Sequence, residues 1–355
     1  MKGPVLIFIV ASMLLGLGLM MLASISPERV LPQALSVVFS LLVGWVIFQI
    51  GIKNILTFTW MAYFAVLILL SLTLLLGKTA KGSSRWLKVG GFQFQASEIA
   101  KPILLLISVK LAENGWTDNS KKQVKLLVKY IFVTLLTFGL VLIQPDLGSA
   151  LVLAAISVWV IMASSPPKRL ITGLILLAII FMPLAKSGLK DYQLRRLQSF
   201  INPYSDPLGT GYHVIQSTIA VGSGGLFGRG LGYGTQGKLR FLPERQTDFI
   251  FANLVEELGL VGGIMTIGLY SIIVGTCLWE AVKSKKTEER LILSGIGVWL
   301  FFQTTVNIAM NLGIMPVTGV TLPLMSYGGS SLLSTAITFA LAISAMSNRE
   351  FGSWG

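Results

Sequence analysis

Residues 202–259 read NPYSDPLGTGYHVIQSTIAVGSGGLFGRGLGYGTQGKLRFLPERQTDFIFANLVEELG, and this stretch changes character along its length. Ten glycines fall between Gly209 and Gly237, a density that destabilises a long helix or sheet. Charged residues follow, and from Asp248 onward the pattern is that of a strongly apolar helix. Irregular, charged backbone of this length beside apolar helices indicates a segment used for recognition or chemistry.

The rest of the chain has the composition of a membrane protein. Of its 355 residues 54% are hydrophobic and 12% are charged, and its mean hydropathy is +0.77. Soluble domains carry roughly 25% charged residues. The sequence therefore predicts an all-α polytopic membrane protein, with one integral membrane domain over residues 1–355. The lone Cys277 excludes an intramolecular disulfide framework and a cysteine-based metal site.

Apolar runs long enough to cross ~30 Å of hydrocarbon recur along the chain and predict about ten transmembrane helices. They cover residues 4–24, 33–52, 55–77, 97–113, 124–143, 147–164, 168–186, 248–279, 290–312 and 321–346. The runs near residues 100 and 146 are short and polar enough to be half-spans. A long extracytoplasmic loop, residues 187–247, separates the seventh and eighth helices.

The distribution of Lys and Arg predicts the orientation in the membrane. With both termini in the cytoplasm, the inner segments hold fourteen of these residues and the short outer loops hold five. This bias agrees with the positive-inside rule, which discounts long loops. The sequence therefore predicts cytoplasmic termini in the cytoplasmic (inner) membrane.

The predicted outer face is nevertheless strongly basic. The loop at residues 78–94 carries four bases and no acid, and residues 186–247 carry eight more bases. Contact with anionic lipid headgroups is one explanation. The other is a site for an anionic substrate, such as a lipid-linked pyrophosphate, bound by several Arg and Lys side chains. Nucleic acid is excluded, because the bases are divided across the membrane without a pattern of stacking aromatics.

Ionisable residues within membrane spans usually mark a functional site. In SEIAK, Glu98 and Lys101 share one face of a helix, and they form either a self-neutralising pair or part of a polar cavity. In QPDLGS, Pro145 breaks the helix beside Asp146, which is a candidate partner for Lys101.

Asp248 stands where the long loop meets an apolar helix. It either caps that helix or is a carboxylate at the membrane surface, acting as a general base or binding a divalent cation. Glu256 and Glu257 follow about two turns later, and at most one of them faces the same cavity. Near the last helix, Ser326 and Ser330 offer hydroxyl groups to a cavity, although helix packing through small residues explains them equally well.

Several long motifs in order resemble the SEDS family (shape, elongation, division and sporulation). The resemblance covers essentially the whole chain and rests on RW at 85–86, SEIAK at 97–101, QPDLGS at 144–149, NPYSDPLGTGYHVIQS at 202–217, LPERQTDFIFANLVEELG at 242–259 and PVTGVTLPLMSYGGSS at 316–331. The forms DPLGTGYH and LPERQTDFIF resemble the elongation branch, RodA, more than the division branch, FtsW. Two departures are QASE at 95–98, where many relatives read QPSE, and Gln246, where relatives often have His.

The resemblance implies a peptidoglycan glycosyltransferase that polymerises lipid II outside the cytoplasmic membrane. It implies as partners a class B penicillin-binding protein and other membrane proteins of the elongation complex. The family's essential acid falls on Asp248, which we expect to take the acceptor proton, alone or with a Mg²⁺ or Mn²⁺ ion. Other positions that match the family are Lys101, Asp146, Glu98 and Arg85. Candidates to stabilise the pyrophosphate leaving group are Arg85, Arg195, Arg196, Arg229 and Arg245.

Two other functions remain open from the sequence alone. A flippase for a lipid-linked cell-wall precursor would also need a polar cavity, broken helices and bases. A non-catalytic scaffold of the elongation machinery would use the same surfaces only for binding. The concentration of bases and of Asp248 on the outer face favours chemistry there over transport.

Overall fold

The structure is a computed structural model that describes residues 3–80, 83–89, 92–116, 119–173, 191–209 and 211–347. Helices dominate these ranges. They are α1 (Gly3–Ile25), α2 (Val30–Ile50), α3 (Ile52–Thr57), α4 (Thr59–Leu76), α5 (Ala96–Ala112), α6 (Ser120–Ile143), α7 (Leu147–Ala163), α8 (Asp191–Ile201), α9 (Tyr212–Ser223), α10 (Thr235–Lys238), α11 (Ile250–Lys283), α12 (Thr287–Asn311) and α13 (Gly329–Ser347). Short 3₁₀ turns cover Pro27–Arg29 and Pro203–Ser205.

Seven helical segments of the described chain are long and apolar enough to cross a membrane, namely Gly3–Ile25, Pro27–Ile50, Thr59–Leu76, Ser120–Ile143, Ile250–Lys283, Thr287–Asn311 and Gly329–Ser347. The multi-pass helical membrane fold is thus confirmed. Helices α5 and α7 have 17 residues each, as expected for the two short runs. The predicted span 55–77 is divided between α3 and α4. The predicted span 168–186 is helical at 168–173 and otherwise lies outside the described residues.

Helices α12 and α13 form the centre of the bundle. In their most apolar 18-residue windows 78% and 72% of residues are buried, against 17–44% in the other candidate spans. Helix α12 packs on α11 and α7, while α13 packs on α2 and α5. Because the outer helices expose their apolar side chains, their remaining surface is suited to lipid contact.

Both ends of the described chain lie at one face of the bundle. A Cβ atom placed on Gly3 would be 3.2 Å from Glu280 and 3.2 Å from Met346. At the far end of α1, the Ser24 hydroxyl donates to Glu257 over 2.7 Å. The start of α11 therefore lies at the opposite face of the bundle from both ends of the described chain.

The loop predicted at residues 78–94 contains a small antiparallel sheet, which the all-α prediction missed. Its strands are β1 (Lys78–Ala80), β2 (Ser83–Val89) and β3 (Phe92–Phe94), in the order β1-β2-β3. Trp86 pairs with Lys78, and Leu87 pairs with Phe94. The sheet connects α4 to α5 and gives Arg85 a fixed backbone between these two helices.

The predicted long loop also has regular structure, since it contains α8, α9 and α10. The apolar stretch YHVIQSTIAVG of this loop lies within α9. Helix α11 is interrupted at Gly259, whose φ of 73° and ψ of −171° are not helical. The part after this break is about 36 Å long and is by itself long enough to cross the hydrocarbon. The part before it lies next to α9 and α10, at the face of the bundle opposite both ends of the described chain.

Candidate active site

Asp248 is held through its backbone at the entrance to α11. Its carbonyl oxygen accepts hydrogen bonds from Nδ2 of Asn307 over 3.0 Å and from Nδ2 of Asn311 over 2.9 Å. The Asn311 side chain also accepts from the backbone N–H of Ala252 over 3.0 Å, so the first turn of α11 is tied to α12. Because α12 is central and buried, these bonds fix the position from which the Asp248 side chain projects.

A row of three amide side chains on α12 extends this support into the membrane. Gln303, Asn307 and Asn311 are spaced four residues apart and so share one face of the helix. Gln303 donates to the carbonyl of Thr321 over 2.9 Å, and Asn307 donates to that of Val320 over 2.7 Å. The row therefore binds the chain before α13 as well as the start of α11. Sequence analysis missed it, although amides at every fourth residue of an apolar helix are a recognisable signal.

The Asp248 carboxylate and Arg85 face a common space beside Gly319. A Cβ atom on Gly319 would lie 3.6 Å from Oδ2 of Asp248 and 3.9 Å from Nη1 of Arg85. Gly319 has a φ of +76°, a conformation that favours glycine. Arg196 of α8 approaches the same segment, because its Nη1 donates to the carbonyl of Val317 over 3.1 Å. Three predicted site residues, Asp248, Arg85 and Arg196, are thus brought together.

The environment of Asp248 raises the pKa of its carboxyl group. Burial raises the pKa of Asp248 to about 6, and the neighbouring Glu244 adds to the rise, while Arg196 and Arg85 oppose it. A general base works best with a pKa near the working pH, and strongly shifted carboxylates cluster at active sites. The pKa of Asp248 therefore lies in the range suited to exchanging a proton with a substrate hydroxyl.

Asp146 caps α7 and is saturated with partners. Its Oδ2 accepts from Gln95 over 2.8 Å and from Ser97 over 2.7 Å, and its Oδ1 accepts from the N–H of Ser149 over 3.3 Å. Nη1 of Arg85 lies 3.8 Å from Oδ1 of Asp146. The Asp146 carboxylate therefore helps to orient the Arg85 side chain that faces Asp248.

The interpretation that Lys101 pairs with Asp146 is wrong, since the direct partner of Lys101 is Glu98. Nζ of Lys101 lies 2.6 Å from Oε1 of Glu98 and 3.1 Å from Oε1 of Gln303. Of the two alternatives for Glu98 and Lys101, the structure therefore supports a pair whose opposite charges neutralise each other. Through Gln303, the buried Lys101 joins the same row of amides that holds Asp248.

Two arginines that were predicted to stabilise the leaving group donate their hydrogen bonds to other parts of the molecule. Arg245 donates to the carbonyl of Ile25 and to the hydroxyl of Ser26, both over 3.3 Å. Arg229 donates to the carbonyl of Ser223 over 3.3 Å and to the Thr235 hydroxyl over 3.2 Å. These contacts attach Arg245 to the end of α1 and Arg229 to the glycine-rich stretch. Arg195 belongs to α8, and its side chain lies outside the described residues.

The two serines that were predicted to line a cavity instead form hydrogen bonds with backbone groups. The Ser326 hydroxyl donates to the carbonyl of Thr247 over 2.6 Å and accepts from the N–H of Leu322 over 2.8 Å. The Ser330 hydroxyl accepts from the N–H of Gln95 over 2.9 Å. Both side chains are buried. Their role in the structure is to join the chain before α13 to the residues next to Asp248 and α5.

Most of the glycine-rich stretch wraps around two other acids. Glu256 accepts from the Thr235 hydroxyl and from the N–H groups of Gln236 and Gly237, over 3.0–3.4 Å. Glu257 accepts from the Ser24 hydroxyl and, over 3.2 Å, from the N–H of Gly232. We name residues 224–237 the glycine clamp. These hydrogen bonds attach the clamp to Glu256 and Glu257 rather than to Asp248, and a use of the stretch in recognition or chemistry stays a prediction.

Close backbone approach explains why the clamp needs glycine. The N–H groups of residues 229 and 230 donate to the carbonyls of Glu256 and Glu257, both over 3.0 Å. Gly228 has a φ of +81°, and a Cβ atom there would be 2.1 Å from the carbonyl oxygen of Glu257. No side chain fits at that distance, so the clamp and the break at Gly259 depend on each other.

Comparisons with known proteins agree with this architecture. The family model for FtsW/RodA/SpoVE cell cycle proteins matches residues 4–350. The chain belongs to this family. It is 42% identical to the peptidoglycan glycosyltransferase MrdB of Escherichia coli strain K12, over 81% of this chain and 77% of that protein. It is 34% identical to a probable peptidoglycan glycosyltransferase FtsW of Coxiella burnetii, over 93% of this chain and 92% of that protein.

Solved structures extend the likeness to the whole fold. A chain from a study of how a peptidoglycan synthase complex coordinates polymerization and crosslinking matches with a TM-score of 0.80 and 33% identity, over 97% of both chains. The rod shape determining protein RodA of Thermus thermophilus matches with a TM-score of 0.72 and 30% identity, over 97% of this chain and 96% of that chain.

The structure describes both departures from the SEDS motifs. Ala96, in QASE, begins α5 and is buried. At Gln246 the observed link uses the backbone, since the carbonyl oxygen accepts from the N–H of Tyr327 over 2.8 Å. Neither Ala96 nor Gln246 is a residue to which we assign chemistry.

Proposed function

We propose that this SEDS protein polymerises lipid II into β-1,4 glycan strands and that Asp248 is its catalytic carboxylate. Peptidoglycan glycosyltransferase is the activity named for its curated relatives. The observation that carries the role of Asp248 is its setting: a carboxyl group with a pKa of about 6 that faces Arg85 across Gly319. The higher identity to MrdB than to FtsW supports assignment to the elongation branch.

The reaction is a single displacement. Oxygen O4 of the acceptor GlcNAc attacks C1 of the donor MurNAc, and its proton passes to the Asp248 carboxylate. The bond between C1 and the pyrophosphate oxygen breaks, and undecaprenyl pyrophosphate leaves with the electron pair. Attack opposite the leaving group converts the α-linked donor into a β-linked glycan.

Arg85 and Arg196 are placed to stabilise the charge that develops on the pyrophosphate. Fixed guanidinium groups stabilise such charge without reorganising during the reaction. Asp146 holds Arg85 from one side, and the carbonyl of Gln144 accepts from Nε of Arg85 over 3.3 Å. With Arg85 held in this way, its approach to the leaving group is set before substrate binds.

The divalent cation remains part of the proposal. In the described part of the chain no three His, Cys, Asp or Glu residues come together as a metal site. The neighbouring carboxylates of Asp248 and Glu244 are the residues that would hold a Mg²⁺ or Mn²⁺ ion, with water completing its oxygen shell. Such an ion would help to lower the pKa of the acceptor hydroxyl.

We place the reaction on the extracytoplasmic face of the inner membrane, with both termini in the cytoplasm. Asp248 is at the face of the bundle opposite Gly3 and Met346. The Lys/Arg bias of the short loops assigns the face bearing the termini to the cytoplasm. In this orientation the polyprenyl tails of both substrates stay in lipid while their sugars meet at Asp248.

As partners we propose a class B penicillin-binding protein and other membrane proteins of the elongation complex. The support is the match to a chain of a peptidoglycan synthase complex that polymerises and crosslinks. Exposed apolar faces of the outer helices offer a surface for a partner's transmembrane helix.

The decisive experiment is polymerisation of purified lipid II in detergent by the wild-type protein and by Asp248→Asn, each with its penicillin-binding partner. We expect polymer from the wild type and none from a folded, partner-binding Asp248→Asn variant. Equal polymer from both would reject Asp248 as the catalytic group. No polymer from either would favour the flippase or the scaffold, which transport of labelled lipid II across vesicle membranes would then separate.

A further inference from the structure

The tip of the glycine clamp exposes large apolar side chains. Leu226, Phe227 and Tyr233 are 63%, 80% and 75% exposed, and Leu231 is also exposed. These four residues fall within eight positions of the chain. A cluster of this kind is rare on a surface in contact with water and marks a site that contacts protein or lipid.

The position of the tip indicates whether protein or lipid covers these side chains. The N–H of Leu260 donates to the carbonyl of Gly225 over 2.9 Å, and the N–H of Val261 donates to that of Leu226 over 3.2 Å. These bonds attach the tip to the first residues of α11 after its break. Leu260 and Val261 are themselves exposed, as is Ile264 one turn later.

That part of α11 belongs to a helix long and apolar enough to cross a membrane, and its exposed apolar side chains are suited to lipid contact. Its length of about 36 Å exceeds the ~30 Å of hydrocarbon by only a few residues, which places Leu260 close to the outer boundary of the hydrocarbon. The apolar surface of the tip is therefore continuous with a surface covered by lipid.

Charged groups around the tip fit the same boundary. The exposed Lys238 donates from Nζ to the carbonyl of Gly232 over 3.0 Å, and Arg229 is held by Ser223 and Thr235. Lys and Arg at this depth pair with phosphate headgroups, and Tyr is enriched at the same interface.

We propose that residues 226–233 insert into the outer leaflet and anchor the glycine clamp to the membrane. Phe227 and Leu226 reach the acyl chains beside Val261, and Tyr233 lies at the headgroup level. The clamp holds Glu256 and Glu257 by hydrogen bonds, and Asp248 lies about two turns before them. The anchor thereby fixes the height of the start of α11 relative to the lipid surface.

Spin-label depth measurements on the chain in lipid nanodiscs test this anchor. Cys277 is replaced by Ala, and single cysteines are introduced as Phe227→Cys, Tyr233→Cys, Val261→Cys and Lys285→Cys. Val261→Cys is the control for a lipid-facing site, and Lys285→Cys is the control for water, because Lys285 is exposed in the turn between α11 and α12. Each nitroxide is probed with molecular oxygen, which concentrates in lipid, and with a water-soluble nickel chelate.

We expect the label at position 227 to match that at 261, with a loss of nickel collisions relative to position 285. The label at position 233 should be intermediate. Nickel accessibility at both positions equal to that at 285 would overturn the proposal and would leave the tip as a surface for a partner protein. The measurement does not depend on catalysis, so its outcome is separate from that of the Asp248→Asn experiment. A variant that fails to fold is recognised by size-exclusion chromatography, and the remaining tip position then decides.

Discussion

Asp248 and the pair Glu256–Glu257 stand about two helical turns apart, yet the protein treats these acids in opposite ways. Glu256 and Glu257 receive backbone N–H groups and hydroxyls from the glycine clamp and from α1. Asp248 is held through its backbone, while burial and Glu244 raise the pKa of its carboxyl group. The donors around Glu256 and Glu257 attach those carboxylates to the glycine clamp and to α1, whereas the Asp248 carboxylate lies beside Arg85 at Gly319.

The largest difference between Asp248 and Glu256 should appear in lipid II polymerisation. We expect Asp248→Asn to lower lipid II polymerisation by about 100- to 10,000-fold, because the amide cannot accept the acceptor proton. Glu256→Gln keeps a carbonyl oxygen for the clamp and should leave the folded fraction active. Polymerisation assays on fractions matched for folded protein measure both. An equal loss in the two variants would mean that position, and not chemistry, distinguishes Asp248.

The contribution of the glycine clamp to stability should depend on whether a Cβ atom fits beside the backbone. Gly228→Ala places a Cβ atom 2.1 Å from a carbonyl oxygen at a φ of +81°, and we expect it to destabilise the fold by about 3 kcal/mol. Gly232→Ala is the matched control, because its φ is +78° and nothing lies within 4 Å of its Cβ. It should cost only about 1 kcal/mol. Thermal unfolding in detergent compares them, and equal losses would contradict the close packing of the clamp.

The hydrogen bond between α1 and Glu257 should contribute less to stability than the close packing at Gly228. Ser24→Ala removes a hydroxyl that donates to the Glu257 carboxylate, and we expect a loss of about 2 kcal/mol in stability. Ser12→Ala is the control, because the exposed Ser12 hydroxyl donates only to Phe8 of its own helix. Similar melting temperatures for the two variants would show that Ser24 adds nothing to the clamp.

The smallest expected effect on activity is its dependence on pH. With a pKa of about 6, Asp248 is mostly ionised at pH 7 and mostly protonated at pH 5. Since the base must be ionised to take a proton, polymerisation should fall roughly tenfold from pH 7 to pH 5. A rate that is flat across this range would exclude Asp248 as the titrating base.

The same pKa shift affects stability with the opposite sign. Folding raises the Asp248 pKa from the ordinary value of 3.8 to about 6, so its contribution favours the fold below about pH 4 and is lost as pH rises through 6. Asp248→Asn should remove this part of the pH dependence. Unfolding of both proteins at pH 4.5 and pH 7 measures the difference.

Much of the fold followed from the sequence, because the apolar runs and the lengths they require are local properties. The helices at 3–25, 120–143 and 287–311 were predicted within a few residues. The sheet around Arg85 was missed, since β2 has seven residues and β3 only three, and both need each other to form. The interruption at Gly259 was missed as well, because only the clamp packed against it gives that glycine its non-helical conformation.

The sequence by itself determined that the chain is a multi-pass membrane protein and singled out Asp248, Asp146, Lys101 and Arg85. These conclusions depend on composition, helix periodicity and motif, which are readable along one chain. Only the tertiary structure decided which charges from distant segments meet, namely Asp146 with Arg85, and Arg85 and Arg196 around Asp248, whereas the pair of Glu98 and Lys101 is local. It also decided that Arg245 and the glycines serve the fold. The physical reason is that hydrogen bonds and ion pairs act over a few ångströms, and only the packing of distant segments brings groups that close.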